Sequence, residues 1–451
     1  MANKKAKLTE GSIKKLLIQL TLPMIVGMLS MTVFNLTDTY FIGQLGKNQL
    51  AAMSFTFPIV MILNSIALGL GMGASSNISR AIGEGDSKKV KRLATDALLL
   101  GVIIVAFFIV AGELTINPLF RLLGAGNELL PLIHKYMRIW YIGVIFVVIP
   151  MIGNNIIRAT GDMKTPGLIM ASIAILNMIL DPILIFGLGP FNPMGIEGGA
   201  IATVLSRAVG MVFSFIIIIG REKLIDFTIP LLSELISSWK KILYIGIPAA
   251  ASNMIIPFSM GIITRLVSTY GTAAVAGFGV GTRLEMLSLM IIMALSSVLV
   301  PFTGQNIGAG KIERIYKALK ISYIFSLLWG AGTFLIFLFT GKYLGALFNK
   351  DPFVIETVTL YLNFIAISYG IQGFMYLSSA TLNALNKPLY TMVISITRMF
   401  ILYVPLALIG SKLFGLKGIF IGASLSNVIT GLFSLYLVFK MLNKLKNKRT
   451  R

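Results

Sequence analysis

Carboxylates occur inside apolar stretches of this sequence, where a charge is costly and usually functional. Asp38 lies in the run TLPMIVGMLSMTVFNLTDTYFIGQLG, residues 21–46, and Asn35 precedes it by three residues. In a helix this spacing places both side chains on one face. Such a pair can bind a proton or a hard cation. The alternative is a carboxylate near the helix end that reaches interfacial water.

A second pair, Asn177 and Asp181, repeats the pattern in SIAILNMILDPILIF, where Pro182 can open the backbone ladder locally. Two aspartates close together cannot both ionise cheaply, so one would hold a proton near neutral pH. The same oxygens suit Na⁺ when a hydroxyl joins them, and Thr203 in GGAIATVLS is the candidate. The alternatives are a structural pair at a helix end and, for Thr203, a hydroxyl bonded to its own helix.

Composition limits the protein class to a polytopic membrane protein. Of 451 residues, 56% are hydrophobic and only 12% charged, whereas soluble proteins carry about 25% charged residues. The net charge of +22 lies in clusters between apolar runs, as the positive-inside rule requires, so we expect no nucleic-acid partner. The absence of cysteine and the single histidine, His134, exclude thiolate and histidine-rich metal sites.

Roughly twelve apolar stretches are long enough to cross a bilayer. They lie near 16–42, 50–79, 94–115, 133–157, 167–188, 197–219, 241–269, 276–304, 318–340, 355–382, 389–410 and 417–441. The connections alternate in basic charge, which predicts a protein of the cell membrane with both termini in the cytoplasm. No GxxxxGK[ST] phosphate-binding loop is present, which argues against an ATP-driven pump.

An internal repeat predicts the architecture. Pro23 recurs as Pro248 and Gly85 as Gly310, both at an offset of 225 residues, and GIEGGAIATVLSRAVGMVFSF from Gly195 recurs at an offset of 220. We therefore predict an all-α protein of two parallel six-helix lobes, 1–223 and 241–451, joined by a cytoplasmic linker at 224–240. Parallel repeats of this kind are typical of transporters, with the substrate site between the halves.

The second half differs in its charged residues. Met260 and Ile263 stand at the positions that correspond to Asn35 and Asp38, so the acidic pair has no counterpart there. Arg283 and Glu285 lie instead near the start of the eighth span. One interpretation is an ion pair between Arg283 and a nearby carboxylate. The other is that Glu285 and Arg283 line a substrate cavity that attracts cationic ligands.

Six motifs in order make the whole chain resemble a MATE (multidrug and toxic compound extrusion) transporter of the DinF-like or NorM-like bacterial or archaeal type. They are FNLTDTYFIGQLG, RAIGEGD, RATGDMKTP, NMILDP, GIEGGAIATVLS and GQNIGAG. The resemblance implies a V-shaped fold and multidrug efflux, hence antibiotic resistance, by H⁺ or Na⁺ antiport. It places the cation site on Asp38, Asn177, Asp181 and Thr203, and a helix-bending role on Pro23.

The resemblance also implies the coupling ion and the partners of the protein. We expect no enzymatic activity and no cofactor other than the coupling ion, H⁺ or Na⁺. The expected partners are organic cations or amphipathic drugs and membrane lipid, and the protein is expected to be a monomer. The seventh and tenth spans hold no acidic residue, so a cation site in the carboxy-terminal lobe is in doubt. The alternative function is a flippase for lipid-linked sugar precursors, from the same superfamily, which Arg265 and Arg283 keep open.

Overall fold

The computed structural model describes residues 6–449, and within them the regular structure is entirely helical. The α-helices are α1 (Ile13–Gln44), α2 (Lys47–Glu84), α3 (Ser87–Leu122), α4 (Leu130–Gly143), α5 (Ile145–Ala159), α6 (Lys164–Phe186), α7 (Ile196–Phe215), α8 (Leu232–Ser268), α9 (Thr272–Gly308), α10 (Ile312–Phe348), α11 (Pro352–Ile365), α12 (Tyr369–Ala384), α13 (Pro388–Ile396), α14 (Val404–Phe414) and α15 (Leu416–Arg449). Two π-helical segments, Ile216–Arg221 and Thr397–Tyr403, follow α7 and α13.

These helices confirm the predicted polytopic membrane fold. Within residues 6–449, eleven helical stretches are long and apolar enough to cross a bilayer. A twelfth is formed if α4 and α5, which meet at 41°, count as one broken span. That pair occupies the stretch predicted at 133–157. The helices are mostly longer than the predicted apolar cores, because their polar end turns remain helical.

The glycines of the internal repeat lie in the short turns between long helices. Gly85 ends α2 with φ of 79°, and its repeat partner Gly310 has φ of 77°, a left-handed conformation that glycine adopts without strain. Asp86 then begins α3, because its side chain accepts a hydrogen bond from the Lys89 backbone N–H at 2.9 Å. The repeat therefore preserves residues that reverse the chain.

The helices form two compact units. One contains Leu22–Ala250, and the other contains Leu8–Thr21 with the chain from Ala251 onward. Both α1 and α8 therefore contribute to two units, and each divides within three residues of a proline, Pro23 or Pro248. The predicted lobe boundaries, with a linker at 224–240, stay a prediction; the last nine residues of that linker, 232–240, form the start of α8.

The segment before α1 is held in the second unit. The Leu8 backbone N–H donates to Gln305 Oε1 at 3.1 Å, and Asn306 Nδ2 donates to the Leu8 carbonyl at 3.0 Å. Arg314 donates to the carbonyls of Glu10 and Gly11, both at 3.0 Å. These bonds satisfy backbone groups at the start of the described chain, so α1 begins from a fixed position.

In the first unit, α1 packs closely against α6 and touches α7. A Cβ atom added at Gly167 of α6 would lie 2.4 Å from the Pro23 carbonyl oxygen. One added at Gly27 would lie 2.9 Å from the Gly167 Cα, and one at Gly199 of α7 would lie 3.1 Å from Ile42 Cδ1. Only glycine permits the two backbones to approach this closely. The contact fixes which face of α1 meets α6 and α7.

An ion pair links the turn before α6 to the end of the π-helical segment after α7. The Thr165 backbone N–H donates to Asp162 Oδ1 at 3.0 Å and its hydroxyl to Oδ2 at 2.6 Å. The Arg221 guanidinium donates to the same carboxylate. Burial raises the pKa of Asp162, but the hydrogen bonds from Thr165 and Arg221 outweigh it and hold the pKa below its usual value.

Candidate cation site

The buried face of α1 consists of residues spaced by four. Phe34, Asp38 and Ile42 are 3%, 6% and 0% exposed, because residues one helical turn apart lie on the same side. Asp38 is therefore enclosed, and its Oδ1 atom accepts no hydrogen bond from any described residue. A buried carboxylate oxygen without a hydrogen-bond donor is costly, so this oxygen is a candidate ligand atom.

Helix α6 supplies an amide and a second carboxylate. Asn177 and Asp181 are both fully buried, and Asn177 Nδ2 donates to Asp181 Oδ1 at 3.0 Å. This bond leaves Asn177 Oδ1 and Asp181 Oδ2 without partners in the described part of the chain. Asp38 and Asp181 are close enough for their charges to interact. A shared site of the two aspartates stays a prediction.

Helix α7 supplies the hydroxyl. Thr203 is 5% exposed, and within residues 6–449 its Oγ1 has no hydrogen-bond partner. Most other helical hydroxyls here bond to a carbonyl of their own helix, as Ser206 does to the Ala202 carbonyl at 2.6 Å. The alternative interpretation of Thr203, a hydroxyl satisfied by its own helix, is therefore not what the structure shows.

Within the described part of the chain, four buried side-chain oxygens of α1, α6 and α7 thus lack hydrogen bonds: Asp38 Oδ1, Asn177 Oδ1, Asp181 Oδ2 and Thr203 Oγ1. Two carboxylates, an amide and a hydroxyl are the oxygen ligands that a hard cation such as Na⁺ prefers. A proton shared by the two carboxylates would also relieve their repulsion. Among the described residues, no three His, Cys, Asp or Glu side chains cluster as metal ligands. The donor set fits either coupling ion.

Two further residues, which the sequence did not single out, face this site. The Arg207 guanidinium lies over the ring of Phe34, 5.2 Å from its centroid, and Phe34 lies one helical turn from Asp38 on α1. Arg207 Nε is buried and has no partner among the described residues. Tyr136 of α4, 4% exposed, is close enough to interact with Asp38 and Asp181.

The structure does not bring Asn35 into the cluster. Its side chain is exposed, because it lies beside the buried ridge of Phe34 and Asp38 rather than on it. Pro23 lies inside the continuous helix α1, fifteen residues before Asp38 in the chain, where Gly167 touches its carbonyl. A helix-bending role for Pro23 stays a prediction.

The second unit contains a different polar cluster around Glu285. Its carboxylate accepts hydrogen bonds from the Tyr361 hydroxyl and, at 3.1 Å, from Gln372 Nε2. Gln372 Oε1 accepts from Asn427 Nδ2 at 3.2 Å, and Asn427 Oδ1 accepts from Arg398 Nε at 2.9 Å. Arg283, by contrast, is exposed and forms no ion pair with another described residue. Glu285 therefore already has donors, and Arg283 is not one of them.

Comparison with known proteins identifies a family whose model matches this chain. A family model described as MatE matches residues 23–183 and 248–409. These segments begin at Pro23 and Pro248, the first pair of the internal repeat, and together they span most of both halves.

Relatives and solved structures match over nearly the full length. The chain is 39% identical over 439 residues to a protein of Shewanella oneidensis named FAD transporter, with 97% of each covered. It is 27% identical over 437 residues to the multidrug export protein MepA of Staphylococcus aureus, covering 96% of this chain and 94% of that protein. The crystal structure of the Vibrio cholerae MATE transporter VcmN in the bent form matches with a TM-score of 0.91 at 32% identity. The match covers 96% of this chain and 97% of that chain.

Proposed function

We propose that this chain, which belongs to the MATE family of membrane transporters, exports a small organic molecule in exchange for H⁺ or Na⁺. It is a transporter and not an enzyme. The observation that carries the proposal is the set of four buried oxygens of Asp38, Asn177, Asp181 and Thr203 that have no hydrogen-bond partner within residues 6–449. These are oxygens that a proton or Na⁺ would satisfy, which supports a cation site in the first unit.

Cation binding changes the energy of α1 in a direct way. With the carboxylates charged, Asp38 on α1 and Asp181 on α6 repel each other; a bound proton or Na⁺ removes that repulsion. The preferred position of α1 against α6 therefore depends on the cation, and Pro23 provides a site where the helix can bend. Export then requires that cation and substrate favour different conformations. Both termini are placed in the cytoplasm as part of this proposal.

The substrate is proposed from the relatives. The relative named FAD transporter is 39% identical over 97% of this chain, whereas MepA is 27% identical. Flavin nucleotides therefore come first, and amphipathic organic cations of the multidrug type come second.

Efflux from proteoliposomes tests the proposal. Vesicles containing the purified protein are loaded with FAD or with a fluorescent cationic dye, and release is driven by a pH gradient alone or a Na⁺ gradient alone. We expect FAD release under one gradient and its loss in Asp38→Asn. Asp351→Asn is the matched control, because Asp351 caps α11 far from the site in sequence and asparagine caps equally well.

The outcomes separate the substrate classes. Release of the dye but not of FAD would replace the flavin assignment with multidrug export while leaving cation coupling intact. Release of neither compound under either gradient, with an active control transporter in parallel vesicles, would contradict the proposal. Full gradient-driven release by Asp38→Asn would contradict the cation site.

A further inference from the structure

The π-helical segment of the second unit, Thr397–Tyr403, carries one charged residue, Arg398. It lies near the middle of the stretch Pro388–Phe414, which is long and apolar enough to cross a bilayer. Turns of π-helix are rare and occur frequently at functional sites. A charged side chain at this depth is costly in lipid and usually faces a polar cavity or a partner. Arg398 is therefore a candidate for a function in transport.

Two neighbouring residues of α15 hold Arg398. The Ser426 hydroxyl donates to the Arg398 backbone carbonyl at 2.6 Å, and Arg398 Nε donates to Asn427 Oδ1 at 2.9 Å. Asn427 is held in turn, because its Nδ2 donates to Ser368 Oγ at 2.9 Å and to Gln372 Oε1 at 3.2 Å. Both polar atoms of the Asn427 side chain are thus used. The protein therefore sets the orientation of the guanidinium.

The other end of the guanidinium is available to a ligand. Within residues 6–449, the Arg398 side chain forms one hydrogen bond, the one from Nε, and no ion pair. The side chain is half-buried, and its Nη1 and Nη2 atoms carry four further N–H groups. The hydrogen-bonded chain from Arg398 to Glu285 passes through the amides of Asn427 and Gln372. Because a guanidinium has donors and no acceptor, a ligand at Arg398 must supply acceptor atoms.

We propose that Nη1 and Nη2 of Arg398 bind phosphate oxygens of the exported substrate, so that the transporter selects an organic phosphate over an organic cation. This inference rests on the proposed export function and names the group by which the substrate is recognised. The planar guanidinium presents paired N–H groups that match two oxygens of one phosphate. With Nε bonded to Asn427, the edge formed by Nη1 and Nη2 is the one free to pair.

Flavins with different numbers of phosphates test the inference. FMN and riboflavin differ by one phosphate group, and FAD carries a diphosphate. Their affinities for the purified full-length protein are measured by equilibrium dialysis. The unmodified protein should bind FMN about tenfold or more tightly than riboflavin, as a charge-assisted hydrogen bond provides. Arg398→Gln should lose this preference, because FMN binding weakens while riboflavin binding is retained.

Two further variants separate recognition from folding. Retained riboflavin binding shows that Arg398→Gln is folded. If Arg398→Gln does not fold, Arg398→Lys decides, because lysine keeps the charge but lacks the paired N–H groups and should reduce the preference for FMN. Arg138→Gln, which replaces an exposed arginine of α4, is the matched control and should bind the flavins as the unmodified protein does.

A competition experiment identifies the source of the phosphate. Lipid-linked sugar precursors, the substrates of the alternative flippase function, carry the same diphosphate group as FAD. Farnesyl diphosphate, which carries it on a lipid, is therefore compared with FAD as a competitor of bound FMN. We expect FAD to displace FMN at the lower concentration. Displacement at a lower concentration by farnesyl diphosphate would overturn the flavin assignment and favour a lipid-linked substrate.

The remaining outcomes decide between the proposals. Equal affinities of the unmodified protein for FMN and riboflavin, or a preference for FMN that survives in Arg398→Gln, would overturn phosphate recognition and leave cation-coupled export intact. An equal loss of FMN and riboflavin binding in folded Arg398→Gln would show a structural role and would also overturn it. Gradient-driven release of the cationic dye by a protein that binds no flavin would overturn the flavin assignment, and the inference with it.

Discussion

Replacing Gly167 with alanine tests whether function depends on the close approach of α1 and α6. The added Cβ would lie 2.4 Å from the Pro23 carbonyl oxygen and 3.1 Å from the Pro23 carbonyl carbon. Ordinary contacts begin near 3.4 Å, so one backbone must move by about 1 Å (3.4 − 2.4). Neither atom of Pro23 belongs to a flexible side chain, so a rotamer change cannot relieve the clash.

The cost follows from this geometry. Overpacking that forces backbone shifts typically costs about 1–3 kcal/mol, which is roughly a 5- to 150-fold change in an equilibrium constant. Asp38 is carried by the same helix as Pro23, so a displaced α1 also disturbs the spacing of Asp38 and Asp181. Gly167→Ala should therefore lower the thermal stability of the protein and slow gradient-driven transport.

Two further glycines give a graded series. A Cβ at Gly27 would lie 2.9 Å from the Gly167 Cα, a milder clash, and one at Gly332 in α10 would meet nothing within 4 Å. Thermal unfolding in detergent and transport in proteoliposomes are measured for all three alanine variants. We expect the largest loss for Gly167→Ala, an intermediate loss for Gly27→Ala, and none for Gly332→Ala, where alanine favours the helix by up to about 1 kcal/mol.

The contradicting result is equally clear. If Gly167→Ala matches Gly332→Ala in both stability and transport rate, the two helices do not need this contact. If stability falls but transport per folded molecule is unchanged, the contact is structural only and does not limit the movement of α1.

Three other predictions concern separate parts of the molecule. Asp38→Asn should abolish gradient-driven transport with folding intact. Thr203→Ala should reduce transport less, because a hydroxyl carries no charge. The transport rate and the size-exclusion elution volume are measured for both variants. The Asp162 carboxylate, whose pKa is lowered by its hydrogen bonds, should stabilise the protein above pH 3.8 and lose that effect as the pH falls through the lowered value. Asp162→Asn, which also weakens the pairing with Arg221, should therefore reduce the thermal midpoint at pH 7 more than at pH 3. Arg314→Gln should accelerate tryptic cleavage before α1. The cleavage is measured by mass spectrometry of the fragments.

Each of these has an outcome that would contradict it. Thr203→Ala that is as inactive as Asp38→Asn would indicate a role beyond a neutral ligand. An Asp162→Asn variant whose deficit is the same at both pH values would show that the carboxylate is not held in its charged form. For the segment before α1, Arg283→Gln is the control, since Arg283 is exposed; equal cleavage rates in both variants would argue against anchoring by Arg314.

The sequence predicted those features that depend on spacing along one helix or on repetition. The spans follow from continuous apolar stretches, and the turns follow from glycines such as Gly85 and Gly310 that must take positive φ. The pair Asn177 and Asp181 was found because four residues make one helical turn. These signals are local, so they can be recognised without knowing which helices are neighbours.

Contacts between helices were harder to predict from the sequence. Asn35 was predicted beside Asp38 from a spacing of three, yet the buried ridge of α1 runs through Phe34, Asp38 and Ile42 at a spacing of four. Which of two adjacent ridges is buried depends on the helices packed against it. Arg207 did leave a signal, as a lone arginine in the apolar run GGAIATVLSRAVGMVFSF. Tyr136 left none, because tyrosines are common in membrane helices.

The two halves of the repeat differ in how their buried polar groups are hydrogen-bonded. At the offset of 220 residues, which holds from Gly195 onward, Arg207 of the first unit corresponds to Asn427 of the second. In the second unit Asn427 bridges Arg398 and Gln372, and the carboxylate of Glu285 has donors on both oxygens. In the first unit the corresponding helix carries Arg207, and within residues 6–449 Arg207 Nε, Asp38 Oδ1 and Asp181 Oδ2 have no hydrogen-bond partner. Divergence after duplication has therefore left buried oxygens without hydrogen bonds among the described residues of the first unit and a hydrogen-bonded cluster around Glu285 in the second.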